Sequence, residues 1–308
     1  MSGQGASNTS RIVWWNGHFA PEENVRISPL DRGFLFGDGL FETLRANDGR
    51  PLYVADHLKR LSDAARCLRL FGLGEDSTPW LFSEAPSIWH ERIAALLKQN
   101  GLNRGPARVK IVVSRGIVSE LGLPQPSAPT RLILAEPYTP PSEQDYARGW
   151  TLHSLRNGWT PPTASMKSLS YLFYLGARQV AADAGCDESL IYDKDGRIAE
   201  TATGSLLFLS ESRCVVAASP HRLKGTAETR VATLLREDGW TIEERNLSKD
   251  DLDQFDAIWM TNALVGIMPI RAVDGRPLPR LFRYRAAHYR DLFFRRGVEQ
   301  PELPEYED

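Results

Sequence analysis

Cysteine is scarce in this chain: three residues in 308, Cys67, Cys186 and Cys214, far apart and with no C-x-x-C pair. An odd, scattered set argues against a disulfide framework and against a thiolate zinc site. The six histidines are equally dispersed, with no H-E-x-x-H or comparable pairing, so no metal is expected. Charge of one sign is missing too. With 37 Lys+Arg against 39 Asp+Glu, the net charge of −2 gives no electrostatic basis for binding nucleic acid or a membrane surface. No apolar run approaches the ~18 residues of a bilayer-spanning helix. Residues 1–10 are small and polar, lack the apolar stretch of a secretory signal, and read as a disordered tail. Neither G-x-G-x-x-G nor G-x-x-x-x-G-K-[ST] occurs, which removes the usual nucleotide cradles. Repeats and low-complexity tracts are absent. The expectation is a soluble protein of a reducing compartment, the cytoplasm.

What is present is ordinary globular material. Hydrophobic residues at 42% and charged residues at 25% suffice for packed cores, and 308 residues leave room for two domains. Asn16-Gly17 within "IVWWNGHF" and Asp48-Gly49 within "FETLRANDGRPLY" are hairpin signals. Val25–Ser28 reads as a further short strand. Asp56 reads as the cap of a helix with Leu58, Leu61, Ala65 and Leu68 at helical spacing, and a second helix is predicted over 87–99. "RVKIVVSRG" and "TRLILAE" read as strands. Residues 136–146, with three prolines, make the best linker. Beyond it the pattern predicts a strand at "GWTLHSL", a helix over 169–184 and four short strands separated by Asp-Gly or polar turns. Helices near 226–237 and 280–296 flank strands near 241–246 and 257–261. Hairpins and meanders with inserted helices indicate an α+β class. The predicted organisation is a tail (1–10), a smaller N-terminal domain (11–135), the linker (136–146), a larger C-terminal domain (147–298) and a loose acidic tail (299–308).

Three local features stand out. Lys167, in "TASMKSLSYLFY", precedes an apolar helix. A lysine there is either a solvated first-turn residue or an amine in an apolar pocket, where burial lowers its pKa and makes it nucleophilic. Glu200, in "DGRIAETATGSLLFL", ends a strand and is followed by small residues that let backbone amides approach a ligand. "DRGFLFGDGLFETLR", residues 31–45, sets three glycines among aromatics and predicts a tight, packed turn.

Together, "DRGFLFGDGLFETLR", "HLKRL", the isolated Lys167, "DGRIAET" and "TNALVGIMPI" resemble, in order, the fold-type IV pyridoxal-phosphate enzymes. That group includes branched-chain and D-amino-acid aminotransferases and aminodeoxychorismate lyases. The resemblance spans residues 12 to 280. It implies a small N-terminal α/β sandwich, a larger domain with a mostly antiparallel, barrel-like sheet that binds the cofactor, and a homodimer. It implies that Lys167 forms the Schiff base with pyridoxal 5'-phosphate and then shuttles a proton. Glu200 would stand beside the pyridine nitrogen and keep it protonated. Arg60, from the H-x-x-R-L segment, would bind the phosphate, a task suited to guanidinium. Tyr171 would hydrogen-bond the phenolate oxygen. The backbone at Gly225, Thr226 and Ala227 would offer a helix N-terminus to the phosphate, and Asn262 and Ala263 would form another part of the cofactor site. Where the family commonly carries Gly-Ile-Thr-Arg, this chain reads "GTAETR", with Glu228 in place of the arginine.

The reaction is less determined. Transamination moves the amino group between an amino acid and a 2-oxo acid, whereas the lyase releases pyruvate and 4-aminobenzoate; both begin with proton removal by the lysine. A cofactor-binding protein without efficient turnover is a third reading. "TNALVGIMPI" is similar to lyases, but Ser170 stands where lyases have asparagine. "SRGIVSELGLP" lacks both the Gly-Arg-Gly-Tyr of some lyases and the Arg-x-His of some D-amino-acid aminotransferases, and Phe41 replaces a tyrosine. Arg32, Arg115 and Arg156 are the candidate partners of a substrate carboxylate. The aminotransferase reading leads, since that group tolerates more varied clamps.

Overall fold

The computed structural model describes residues 10–70, 84–126, 128–155, 160–278 and 283–299. The first part runs β1 (Ile12–Trp15), β2 (His18–Pro21), α1 (Arg32–Phe36), β3 (Gly39–Asn47), β4 (Arg50–Pro51), α2 (Val54–Cys67), α3 (Pro86–Gln99), β5 (Pro106–Ser114) and β6 (Thr130–Pro137). Its strands form one antiparallel sheet in the order β2-β1-β6-β5-β3-β4. Asn16 and Gly17, like Asp48 and Gly49, take positive φ in the two hairpin turns, the conformation those dipeptides tolerate best. Alternation along β3 and β5 sends Leu40, Leu44, Val109 and Ile111 to one face, where Leu58 of α2 and Ile93 of α3 close a core. The opposite face carries Phe41, Thr43 and Lys110.

Three local readings need correction here. Val25–Ser28 forms no strand, because the chain leaves β2 through a 3-10 turn at Glu22–Asn24 and meets no partner strand. Helix α2 starts at Val54 behind Tyr53, whose φ is 54°, so Asp56 is not its cap. Asp56 instead accepts two hydrogen bonds from Arg230. The segment around Gly33 is a short helix, α1, capped by Asp31, whose Oδ1 accepts the Gly33 N–H at 2.7 Å.

The second part runs α4 (Glu143–Arg148), β7 (Trp150–Ser154), α5 (Leu172–Asp183), β8 (Glu188–Tyr192), β9 (Ile198–Thr201), β10 (Ser205–Ser210), β11 (Arg213–Ala217), α6 (Thr226–Glu237), β12 (Thr241–Arg245), β13 (Ala257–Asn262), β14 (Gly266–Val273), β15 (Arg276–Pro277) and α7 (Arg283–Glu299). Its nine strands form a second sheet in the order β12-β11-β10-β13-β14-β7-β8-β9, with β15 on β14. Most pairs are antiparallel; β7 with β8, β7 with β14, and β11 with β12 are parallel. Strand β14 is absent from the sequence reading because Pro269 interrupts it, and proline is normally kept out of central strands. Pairing with β7 starts only at Ile270 and carries a bulge, which accommodates the proline. Helices α6 and α7 cover one face through Val231, Leu235, Ala286 and Phe293 against Trp259. The architecture is α+β, as expected. The stretch 136–146 contains the end of β6 and the start of α4, so it is less linker-like than its prolines suggest. Among the described residues, no helix is long and apolar enough to cross a membrane.

Candidate active site

A cavity of about 490 Å³ is lined by residues of both sheets. Phe41 and Thr43 of β3 and Lys110 of β5 contribute to it from the first sheet, and Glu200, Ser205, Thr261 and the start of α6 from the second part. Lys167 enters it from the loop before α5. Its backbone is tied to β3: Phe41 N–H donates to Lys167 O at 2.9 Å, Leu169 N–H donates to Gly39 O at 2.9 Å, and Leu40 forms a bridge with Ser168. This tether is why α5 starts at Leu172 and not at Leu169. It also explains Gly39, where a Cβ would run into Val113 O and sit 2.7 Å from Leu169 Cδ1. Lys167 Nζ lies 4.7 Å from the centroid of the Phe41 ring and 5.6 Å from that of Tyr171. Burial, reinforced by the nearby Arg60 charge, brings its pKa down to about 8, which favours the free amine.

Glu200 is buried at 4% exposure. Its Oε1 accepts the Tyr174 hydroxyl at 2.8 Å and its Oε2 accepts the Leu223 N–H at 3.0 Å. Burial raises its pKa to about 7 in spite of those two bonds. Tyr174 was not singled out by the sequence, although it stands one helical turn after Tyr171. Tyr171 also lines the cavity, but its hydroxyl donates to Ala202 O at 2.8 Å. Its ring packs edge-on against Phe41 and stacks on Tyr174.

Arg60 projects from α2 into the cavity, held by a carboxylate that sequence reasoning also missed. Its Nε donates to Glu42 Oε1 at 2.8 Å, one terminal nitrogen to Glu42 Oε2 at 2.6 Å, and the other to Lys224 O at 3.1 Å. Glu42 and the Lys224 carbonyl thus engage three of the five guanidinium N–H groups, and the other two remain for a ligand. His57 Nδ1 lies 2.7 Å from Glu42 Oε2. Burial alone would raise Glu42, but the Arg60 charge and the His57 bond outweigh it and hold the pKa at about 2. The only sequence signal was position: Glu42 alternates with apolar Leu40 and Leu44 on a face bound for the core.

Gly225, Thr226 and Ala227 line the same cavity at the start of α6, and no side chain caps that helix. A Cβ on Gly225 would sit 2.5 Å from Ser205 Oγ, so the close approach depends on glycine. Glu228 turns away and is answered by Arg222 at 2.7 and 3.1 Å, which neutralises a charge that would repel an anion. Among the described residues, the Thr261 hydroxyl, 1% exposed, has no hydrogen-bond partner. Asn262 and Ala263 also line the cavity. Asn262 Oδ1 accepts the N–H groups of Leu264 and Val265 at 3.0 and 2.8 Å, folding a tight turn around Ala263.

Two of the three arginines suggested for a substrate carboxylate, Arg115 and Arg32, lie elsewhere. Arg115 is fully buried, and its donors reach both oxygens of Asp38 and the carbonyls of Leu68, Arg69 and Pro124. Arg32 donates to Asp38 Oδ2 at 2.7 Å and to the carbonyls of Glu120 and Gly122. Neither lines the cavity. The two hold one shared carboxylate and fix the loop after β5. Arg156 lies outside the described residues. Phe41 is in the cavity wall.

The profile of the family described as amino-transferase class IV matches residues 39–273. A relative from Methanocaldococcus jannaschii named "Putative branched-chain-amino-acid aminotransferase" is 30% identical over 269 residues, 86% of this chain and 88% of the relative. The aminodeoxychorismate lyase of Bacillus subtilis is 26% identical over 266 residues, 85% of this chain and 87% of its own. Among solved structures, the PLP-bound form of "a hypothetical aminotransferase" from Mycobacterium tuberculosis superposes with a TM-score of 0.75 at 24% identity. That match covers 92% of this chain and 98% of the other.

Proposed function

Since the chain belongs to the class IV aminotransferase family, we propose that it uses pyridoxal 5'-phosphate to move an amino group between an amino acid and a 2-oxo acid. One observation carries the reading: a partly buried amine, a buried carboxylate and an uncapped helix N-terminus beside an arginine converge on one cavity. These residues fit the cofactor. The orphaned Thr261 hydroxyl, the α6 amides over Gly225 and the two remaining N–H groups of Arg60 suit a phosphate. Glu200 suits a protonated ring nitrogen, whose charge would offset the burial that raises its pKa. Asn262 and Ala263 complete the wall.

When bound, pyridoxal 5'-phosphate supplies an aldehyde carbon that takes up an amine and a ring that draws electrons from the substrate Cα. Lys167 would anchor it through Nζ, and as a free amine would take the Cα proton and return it. Its lowered pKa serves both roles. Phe41 and Tyr171 flank the amine with their rings. For Tyr171 to donate to the phenolate oxygen, its hydroxyl must first leave Ala202 O.

On this reading the cofactor lies between a small domain, 11–135, and a large one, 147–298. The protein is also read as a homodimer. Phe34 and Phe36 of α1 are 73% and 63% exposed, and Leu172 is 81% exposed. The Gly37 backbone approaches Ser170, and Arg32 ties α1 to residues 120 and 122, so these exposed apolar side chains stand on neighbouring segments. Sedimentation at micromolar concentration checks the dimer; a monomer refutes it.

The test of function is direct. The purified protein with added pyridoxal 5'-phosphate turns yellow; amino acids from a D- and L-panel, added alone, bleach that band by the first half of transamination, and a 2-oxo acid added afterwards restores it. Release of pyruvate and 4-aminobenzoate from aminodeoxychorismate would assign the lyase reaction instead. Uptake without turnover would mean a binding protein, and a colourless protein would overturn the assignment.

A further inference from the structure

Glu200 stands near the end of β9, opposite Ile191 of β8. Ile191 is fully buried and packs in one apolar cluster with Tyr174 and Ala177 of α5 and with Ala202. The helix thereby brings a single polar atom, the Tyr174 hydroxyl, to the carboxylate, where it donates to Oε1 at 2.8 Å. The ring has little freedom to do otherwise. It stacks on Tyr171 at 4.9 Å between centroids and meets the Phe173 ring edge-on at 5.2 Å. The other oxygen, Oε2, is held by the Leu223 N–H, a backbone group that no exchange of side chain removes. The hydroxyl is therefore the adjustable half of the clamp.

A carboxylate has about four lone-pair sites, so a clamp on each oxygen still leaves acceptors for a donor entering the cavity, which Glu200 lines. Whether that donor keeps its proton depends on how basic the carboxylate is. Burial makes Glu200 more basic, and a sufficiently basic carboxylate takes the proton for itself. Hydrogen bonds to the charged form act against this, and the Tyr174 hydroxyl supplies one of the two. Burial and the Glu200 charge push the Tyr174 phenol far above its ordinary pKa, so it stays a donor. Lys167, Arg222 and Arg60 also act on Glu200, each favouring the charged carboxylate.

We infer that Tyr174 is a positioning residue for the ring nitrogen of the cofactor: its hydroxyl orients the Glu200 carboxylate and holds it as an acceptor, so that the shared proton stays on nitrogen. The inference rests on the pyridoxal-phosphate reading and adds to it the residue that sets the basicity of Glu200.

The experiment is NMR of the cofactor-free protein carrying carboxyl-labelled glutamate, with Glu200→Gln identifying the Glu200 signal. Tyr174→Phe keeps the ring and its stacking and removes only the hydroxyl. It raises the midpoint of the Glu200 titration by about one to two pH units, the scale of a hydrogen bond to a charged group. Tyr174→fluorotyrosine, a stronger donor on a ring of nearly the same shape, lowers it. In the loaded protein, nitrogen NMR of ring-labelled pyridoxal 5'-phosphate at pH 7 gives a pyridinium signal in wild type, which moves toward that of neutral pyridine in Tyr174→Phe. A Glu200 midpoint within about 0.3 pH unit of wild type in Tyr174→Phe, or a ring-nitrogen signal that is the same in both proteins, overturns the inference and leaves the reading intact. If far-UV circular dichroism shows Tyr174→Phe to be misfolded, the fluorotyrosine variant decides, and an unmoved midpoint there overturns the inference. Failure of the wild type to take up pyridoxal 5'-phosphate counts against the reading, and is distinguishable because the Glu200 titration is read without cofactor.

Discussion

Replacing Glu42 by glutamine removes the charge that Arg60 and His57 share at the junction of β3 and α2. The carboxylate is fully buried and held at about 2 instead of 4.5. At 1.36 kcal/mol per pH unit, that difference is worth about 3 kcal/mol of folding free energy once the group is ionised. Breaking a buried ion pair by removing one partner falls in the same range, about 3–5 kcal/mol. The sign follows from linkage. A carboxyl whose pKa is depressed on folding stabilises the protein fully above about pH 4.5, and loses that contribution as pH falls toward 2. Urea unfolding of wild type and Glu42→Gln, followed by tryptophan fluorescence, therefore separates the two proteins by about 3 kcal/mol at pH 7 and by about 2 kcal/mol at pH 3.5. A gap below 1 kcal/mol at pH 7, or one that is the same at both pH values, would refute the reasoning. It would mean that Arg60 and His57 find other partners without loss.

Two further outcomes test the site itself. Glu200 carries the opposite shift, raised from 4.5 to about 7, so its ionisation opposes folding of the cofactor-free protein by up to about 3 kcal/mol above pH 7. Cofactor-free Glu200→Gln is consequently more stable than wild type in urea at pH 8, with the gain fading toward pH 4.5, while transamination falls roughly 10²-fold or more. Equal stability at pH 8 would count against the burial argument. Gly225→Ala places a Cβ against Ser205 Oγ and shifts the first turn of α6, so the Kd for pyridoxal 5'-phosphate, read by fluorescence quenching, rises roughly tenfold. An unchanged Kd would remove α6 from the phosphate site.

Much of the architecture was legible because local chemistry and tertiary structure agree in it. Asn16-Gly17 and Asp48-Gly49 demand positive φ and form their turns, and the predicted helix over 226–237 matches α6. Lys167 and Glu200 were legible only through the order of the segments around them; each alone has the sequence context of an exposed residue. The rest failed where the deciding partner is distant in sequence. Arg32 and Arg115 read as available cations because nothing local shows that Asp38 binds both. Leu169–Tyr171 has helical character, yet β3 holds that segment out of α5. Tyr171 and Tyr174 share one helix start, and only the packing decides which hydroxyl meets Glu200. Nothing local marks Lys110, on an alternating strand, as a cavity residue. Its face of the sheet is in fact a cavity wall.

The central claim is that Lys167 is the amine that holds the cofactor. The protein is incubated with pyridoxal 5'-phosphate, reduced with borohydride, digested and mapped by mass spectrometry, with Lys167→Ala treated in parallel. One phosphopyridoxyl group on the peptide carrying Lys167 is the expected result, with no label and no visible band in the variant. Labelling of Lys110 in its place, or equal labelling of wild type and variant, would contradict the account.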